Sequence, residues 1–109
     1  MTVSDYRRGI DLIAGERRHQ VESEGWTPEH DDGHRYGDLA VIAAALAVDG
    51  TDATVKDPVG RIHEDGLDTW GLIAKHGYLG SRPDRVRTLV IAGALIAAEI
   101  DRHLRAADA

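Results

Sequence analysis

His30 and His34 stand four residues apart with Asp31, Asp32 and Gly33 between them, and Trp26 and Glu29 lie just upstream. On a helix, a four-residue step puts two imidazoles on one face, where they can ligate zinc or a similar ion, and the aspartates offer oxygen ligands beside them. No third ligand follows at a regular interval, and Gly33 weakens the helix that the spacing needs. A metal is therefore not the expected occupant; if one binds, His30 and His34 are its ligands. No lysine or arginine lies between His19 and His34, so the acids there lack local counter-charge. The nearest supply upstream is Arg17-Arg18. Arg17 falls, with Gln20, on the line of the first helix that should face inward, and a buried guanidinium needs a carboxylate close by.

Three kinds of chemistry fit this cluster. The first is a small-molecule site built from Arg17, Gln20, Trp26, His30, Asp31, Asp32 and His34. Guanidinium meets phosphate or carboxylate bidentately and an indole stacks on a flat ring, so the ligand this set favours is nucleotide-like. The second is metal-dependent hydrolysis. The His30 to His34 spacing resembles the His-Glu-x-x-His of zincins, with aspartate where that motif has its glutamate base. His19, His30-Asp31 and Asp101 resemble the ligands of HD-type phosphohydrolases at shorter spacings. Glu16, Glu99 and Asp101 are similar to the carboxylates of MazG-type pyrophosphohydrolases, without the repeated Glu-x-x-Glu. The third is structural: Arg17 pairs with Asp31 or Asp32, Trp26 plugs the end of the fold, and the cluster pins a corner. No nucleophile elbow and no phosphate-cradling glycine loop is present. Catalysis is not the favoured expectation, and no cofactor is indicated.

The elements that must position these residues read as helices. Ser4 can cap a first helix to about Glu24, with Tyr6, Ile10 and Ile13 as its inward stripe. Thr27-Pro28-Glu29 has the cap, the first-turn proline and the early acid of a second helix start. Asp38 then caps Leu39 to Val48, apolar on every side and hence the buried central helix. Asp49 to Gly66 reads as a loop with one helical turn through Val59 and Ile62. A short helix from Leu67 past Trp70 stops near Gly77, and Ser81 to Asp84 opens a last helix to about Ala106, leaving Arg105 to Ala109 as a frayed tail. Its expected inward face is Val86, Leu89, Val90, Gly93, Ile96, Ala97, Ile100 and Leu104. The expectation is one all-α domain over 1–109: a small bundle of three main helices and a short one, with a long irregular crossover at about 49–80.

Composition narrows the class. With 109 residues the chain has room for one core, and with no phenylalanine and no cysteine that core is aliphatic and free of disulfides and thiolates. The first residues lack the apolar run of a secretory signal and the longest apolar run is about half a membrane span, so a cytoplasmic, non-membrane protein is expected. Nineteen acids against thirteen bases give a charge of -6, which argues against direct nucleic-acid binding. Eleven of the thirteen bases are arginine, a bias that a high-GC genome also produces. The alanine-rich helix and Gly93-Ala94 offer close-packing surfaces, and a domain this small gains by burying them in a homodimer.

Glu16-Arg17-x-x-Gln20, the string from Glu24-Gly25-Trp26-Thr27-Pro28-Glu29 through His30-Asp31-Asp32 to His34, and the run from Arg85 through Leu89-Val90, Ala92 to Ile96 and Ala98-Glu99-Ile100 to Arg102 together resemble a widespread family of small phage and prophage proteins of unassigned activity. The resemblance covers both ends of the chain. That family carries a tryptophan- and proline-rich crossover, whereas here Trp70 is its only tryptophan and Lys75-His76-Gly77 follows. Arg17-Arg18, Glu24-Gly25-Trp26 and Asp31-Asp32 also resemble, over fewer than twenty residues, the opening of ryanodine-receptor-type repeat domains. The phage resemblance implies a small accessory protein in the host cytoplasm that counters defence by binding a nucleotide signal or an enzyme. The functions carried forward are a small-molecule binder, an acidic protein-interaction inhibitor of a host enzyme, and a metal-dependent phosphohydrolase.

Overall fold

An alanine-rich helix can be approached closely on any side, and the last helix of this chain is approached on two. The computed structural model describes residues 3–33, 38–48, 52, 54–56, 62–64 and 85–108. In chain order these form α1 (Val3–Glu22), α2 (Pro28–Asp32), α3 (Asp38–Val48), a hairpin of β1 (Thr54–Lys56) and β2 (Ile62–Glu64), and α4 (Arg85–Asp108). Both α3 and α1 pack on α4, α2 abuts its later turns, and β1 rests on α3. The protein is a small all-α bundle, with one short hairpin among the described residues. Among the described residues no helix is long and apolar enough to cross a membrane.

The core runs between α3 and α4. Leu39, Ile42, Ala43 and Leu46 recur at helical spacing and meet Ile91, Ala92, Leu95 and Ala98, with Trp26 joining the same cluster. Small side chains at Ala43, Ala92 and Ala98 let the helices approach while leucine and isoleucine fill the gaps between them. Arg85 ties the start of α4 to the end of α3, donating to the carbonyls of Ala47 at 2.8 Å and Leu46 at 3.4 Å. Those carbonyls belong to the last turn of α3 and have no partner within their own helix, so a cation suits them.

α1 crosses α4 at Gly93. A Cβ built there would stand 2.6 Å from Ile13 Cδ1 and 2.8 Å from Cγ1, so glycine leaves the notch that Ile13 occupies. From Ile13 the inward line continues through Glu16, Arg17 and Gln20, of which Glu16 and Gln20 are buried. Polar residues thus occupy the line that the sequence placed inward. Ile10 does not, being 65% exposed, and Leu12 is also in solvent.

Three expectations require correction. The segment after α3 holds a β-hairpin where a loop with a helical turn was expected: Thr54 pairs with Glu64, Val55 with His63 and Lys56 with Ile62. Three-residue strands are too short for an alternating pattern to stand out. α4 runs to Asp108, so the expected tail is helical from Arg105 to Asp108. The inward face of α4 is also not the expected one. Of that set only Val90 is buried, whereas Val86, Leu89, Ile96, Ile100 and Leu104 are 42 to 62% exposed. Thr88, Ile91, Ala92, Ala94, Leu95 and Ala98 are buried in their place. Hydropathy ranks isoleucine above alanine, but close packing favoured the alanine line. The expected helix from Leu67 to near Gly77, the Ser81 to Asp84 cap, Val59, the Tyr6 and Asp38 side chains, and His34 lie outside the described residues.

Candidate functional site

α1 ends in a turn that only glycine enters easily. The Trp26 amide donates to the Gln20 carbonyl at 2.8 Å, and Gly25 between them has φ 73°, in the left-handed region. The turn delivers Trp26 to the core, where it is 4% exposed. Thr27 then caps α2, its Oγ1 accepting from the His30 amide at 3.3 Å with Pro28 in the first turn. This start is the one its sequence signature implies.

The cap sets the register for the charged residues. His30 lies over the Trp26 indole, ring centres 5.2 Å apart and planes inclined by 20°. One residue on, Asp31 is fully buried. Its Oδ2 accepts from Arg17 Nη2 at 2.7 Å, and its Oδ1 lies 3.3 Å from His30 Nδ1. Arg17 Nε also approaches Asp101 Oδ2 of α4 at 4.0 Å. Asp32 faces outward and pairs with Arg105 of α4, whose Nη2 reaches Asp32 Oδ1 at 2.9 Å and the Pro28 carbonyl at 3.3 Å. Asp32 holds the Arg105 guanidinium charged to higher pH than usual, chiefly through that hydrogen bond; desolvation acts the other way, and the charges of Asp32, Asp31 and Asp101 add to the rise. Two arginines from two helices therefore clamp the five-residue α2.

Of the seven residues singled out for a ligand, the structure brings Arg17, Trp26, His30 and Asp31 into one contact chain. Gln20 is buried on the same side of α1, with its carbonyl holding Trp26, whereas Asp32 belongs to the outer clamp. His34 lies outside the described residues. Trp26 is stacked against His30 and enclosed by the core, so its ring is already covered. Arg17 Nη1 is buried with no hydrogen-bond partner among the described residues.

The carboxylates and imidazoles proposed for hydrolysis do not converge. His19 Nε2 sits 3.2 Å from Glu24 Oε1, Glu16 pairs with Arg87, and Glu99 pairs with Arg102 and His103. Among the described residues no group of three or more His, Asp or Glu side chains is placed to hold a metal ion.

Two features escaped the sequence reading. Arg105 follows Asp101 by four residues and Ala98 by seven, which places all three on one face of α4; that spacing is the signal that could have found it. The Glu16–Arg87 pair joins residues 71 positions apart and has no local signature. Beside that pair an open groove of about 390 Å³ is lined by Asp11, Leu12, Gly15, Glu16, His19 and Arg87. No family model, curated protein or solved structure matches the chain.

Proposed function

We propose that this protein acts by binding another macromolecule, as a small accessory or inhibitory protein rather than as a catalyst. The observation that carries the reading is the apolar surface left in solvent. Among the described residues, Val86, Leu89, Ile96, Ile100 and Leu104 on α4, and Ile10 and Leu12 on α1, are the large aliphatic side chains that stand exposed. Scattered exposed leucines mean little, but a continuous apolar band on one helix marks a contact surface. The resemblance to phage and prophage accessory proteins, some of which block host enzymes, agrees with such a role. The residues 24–33 then serve as the corner that fixes α2 between α1 and α4.

A photo-reactive residue replacing Ile10 or Ile100 tests this in cells that carry the protein. Covalent adducts with protein at either position are expected. Absence of protein adducts at both positions, together with a nucleotide that raises the melting temperature, overturns it.

A second reading keeps the small, nucleotide-like ligand. Two observations favour it: the Arg17 Nη1 donor without a partner among the described residues, and the groove beside Arg87, whose volume lies in the range of small-molecule sites. A thermal-shift panel of nucleotides tests it, since a ligand that binds only the folded state raises stability. Loss of that shift in Arg17→Lys, with the fold intact, places the ligand at the corner; loss in Arg87→Lys places it in the groove.

A further inference from the structure

The uncovered residues of α4 are not scattered. Val86, Leu89, Gly93, Ile96, Ile100 and Leu104 follow one another at steps of three and four, the spacing of a helix seam that packs against another helix. The seam is opposite the face that meets α3, so the core and the seam use different sides of one helix. At Gly93, where the seam has no side chain of its own, Ile13 of α1 fills the notch and keeps the band apolar. No charged side chain interrupts it from 86 to 104 on this line.

From this geometry we infer that the α4 seam closes against the α4 seam of a second copy of the chain, the two helices running antiparallel. The inference rests on the reading of this face as a contact surface and names its occupant. Area supports it first. Five side chains exposed by about half present on the order of 500 Å² of apolar surface, so two copies meeting face to face remove about 1,000 Å², the threshold for a specific interface. Pattern supports it second. A seam in three-four register needs a partner in the same register over about five turns, and the chain itself supplies one. In a two-fold contact every favourable pair occurs twice, so half as many matches are required. Antiparallel pairing follows from the ends: the helix dipoles then oppose, and each positive N-terminal end lies beside a negative C-terminal end.

In this arrangement the two-fold axis passes between Gly93 and Ile96, and Leu89 faces the partner's Ile100. The interface differs from one through Gly93-Ala94, since Ile13 fills the notch at Gly93 and Ala94 is buried within the chain.

Sedimentation of the pure protein at micromolar concentration tests the inference. A mass of twice 11.8 kDa is expected. Ile96→Asp with Ile100→Asp should give the single-chain mass with its helical signal retained; should that variant fail to fold, Val86→Lys with Leu104→Lys alters only the ends of the seam. Orientation is read by oxidation, because the chain has no native cysteine. Leu89→Cys mixed with Ile100→Cys should form a disulfide-linked pair, whereas either alone should not, since like positions lie about 16 Å apart along the antiparallel pair.

A single-chain mass for the wild type at every concentration up to about 100 μM overturns the second-copy inference. So does a dimer unchanged by the folded seam variants. Self-linking of Leu89→Cys alone overturns the antiparallel order. A single-chain mass combined with photo-adducts to a different protein at position 100 removes the second copy but leaves the interaction reading standing, whereas a single-chain mass with no protein adduct at either position and a nucleotide that raises the melting temperature removes both.

Discussion

At the scale of residues, the corner depends on one buried carboxylate. Asp31 is enclosed by α1 and α2, with Arg17 as its counter-charge and His30 as its neighbour. Attraction inside such a pair roughly offsets the cost of removing both charges from water, so the pair itself adds little. Removing one partner is different. Arg17→Ala strands a buried charge, and we expect a loss of about 3–5 kcal/mol in urea unfolding. Adding Asp31→Asn should recover part of that loss, because the amide can stay buried without a charge. Recovery of none of it would mean that Arg17 holds the corner through packing alone.

The outer clamp behaves differently with pH. Because Asp32 raises the folded-state pKa of Arg105, its contribution is complete below the ordinary arginine value and disappears only as pH rises through the higher folded value. The melting-temperature difference between wild type and Arg105→Gln should therefore stay level between about pH 6 and about pH 9. A difference that changes within that window would show another titrating group to be coupled to the clamp.

At the scale of elements, α4 has two apolar faces of different character. The alanine-rich face supports close packing, and the larger side chains of the other face stand exposed, with Ile13 of α1 seated at Gly93. The helix pattern was legible because the period is local, but which apolar face turns inward depends on the shape of α3, which no window of α4 contains. Gly93 shows the same point in one residue. Alanine in a helix gains about 1 kcal/mol over glycine, yet here its Cβ meets Ile13 at Cγ1 as well as at the mobile Cδ1. Crowding of this kind costs about 1–3 kcal/mol, so Gly93→Ala should be neutral to destabilising alone and stabilising in an Ile13→Ala background. Equal effects in both backgrounds would remove Ile13 from the argument. On α3, Ile42→Ala opens the core between the two helices and should cost about 2–5 kcal/mol by the same measurement.

At the scale of the whole molecule, charge and apolar surface pull in opposite directions. Each copy carries -6, so two copies repel at low ionic strength while their α4 seams attract. Association should therefore tighten as salt rises from about 0.05 to about 0.5 M, read by sedimentation. Because the dimer binds only folded chains, the melting temperature should also rise with protein concentration. A melting temperature independent of concentration, with association weakened by salt, would place the contact in ion pairs instead of the seam.

What the sequence by itself determined is the local chemistry. The Thr27-Pro28 start of α2 and the inward course of Arg17 and Gln20 follow from caps, periods and counter-charge, all of which act within a few residues; α3, expected to be buried on every side, buries Leu39, Ile42, Ala43, Ala45 and Leu46 but leaves Ala40 exposed. The Arg17–Asp31 pair was nearly legible too, because an inward arginine and an uncompensated acid run leave few alternatives. Tertiary structure decided which aspartate Arg17 meets, that Trp26 is covered by His30 and the core, and that Arg105 closes the corner from 73 residues beyond Asp32. It also decided that the strongest aliphatic stripe of α4 faces outward. Each of these depends on the distance between helix axes, and small side chains set that distance: alanine contributes little to a hydropathy pattern, yet it decides where two helices can come closest.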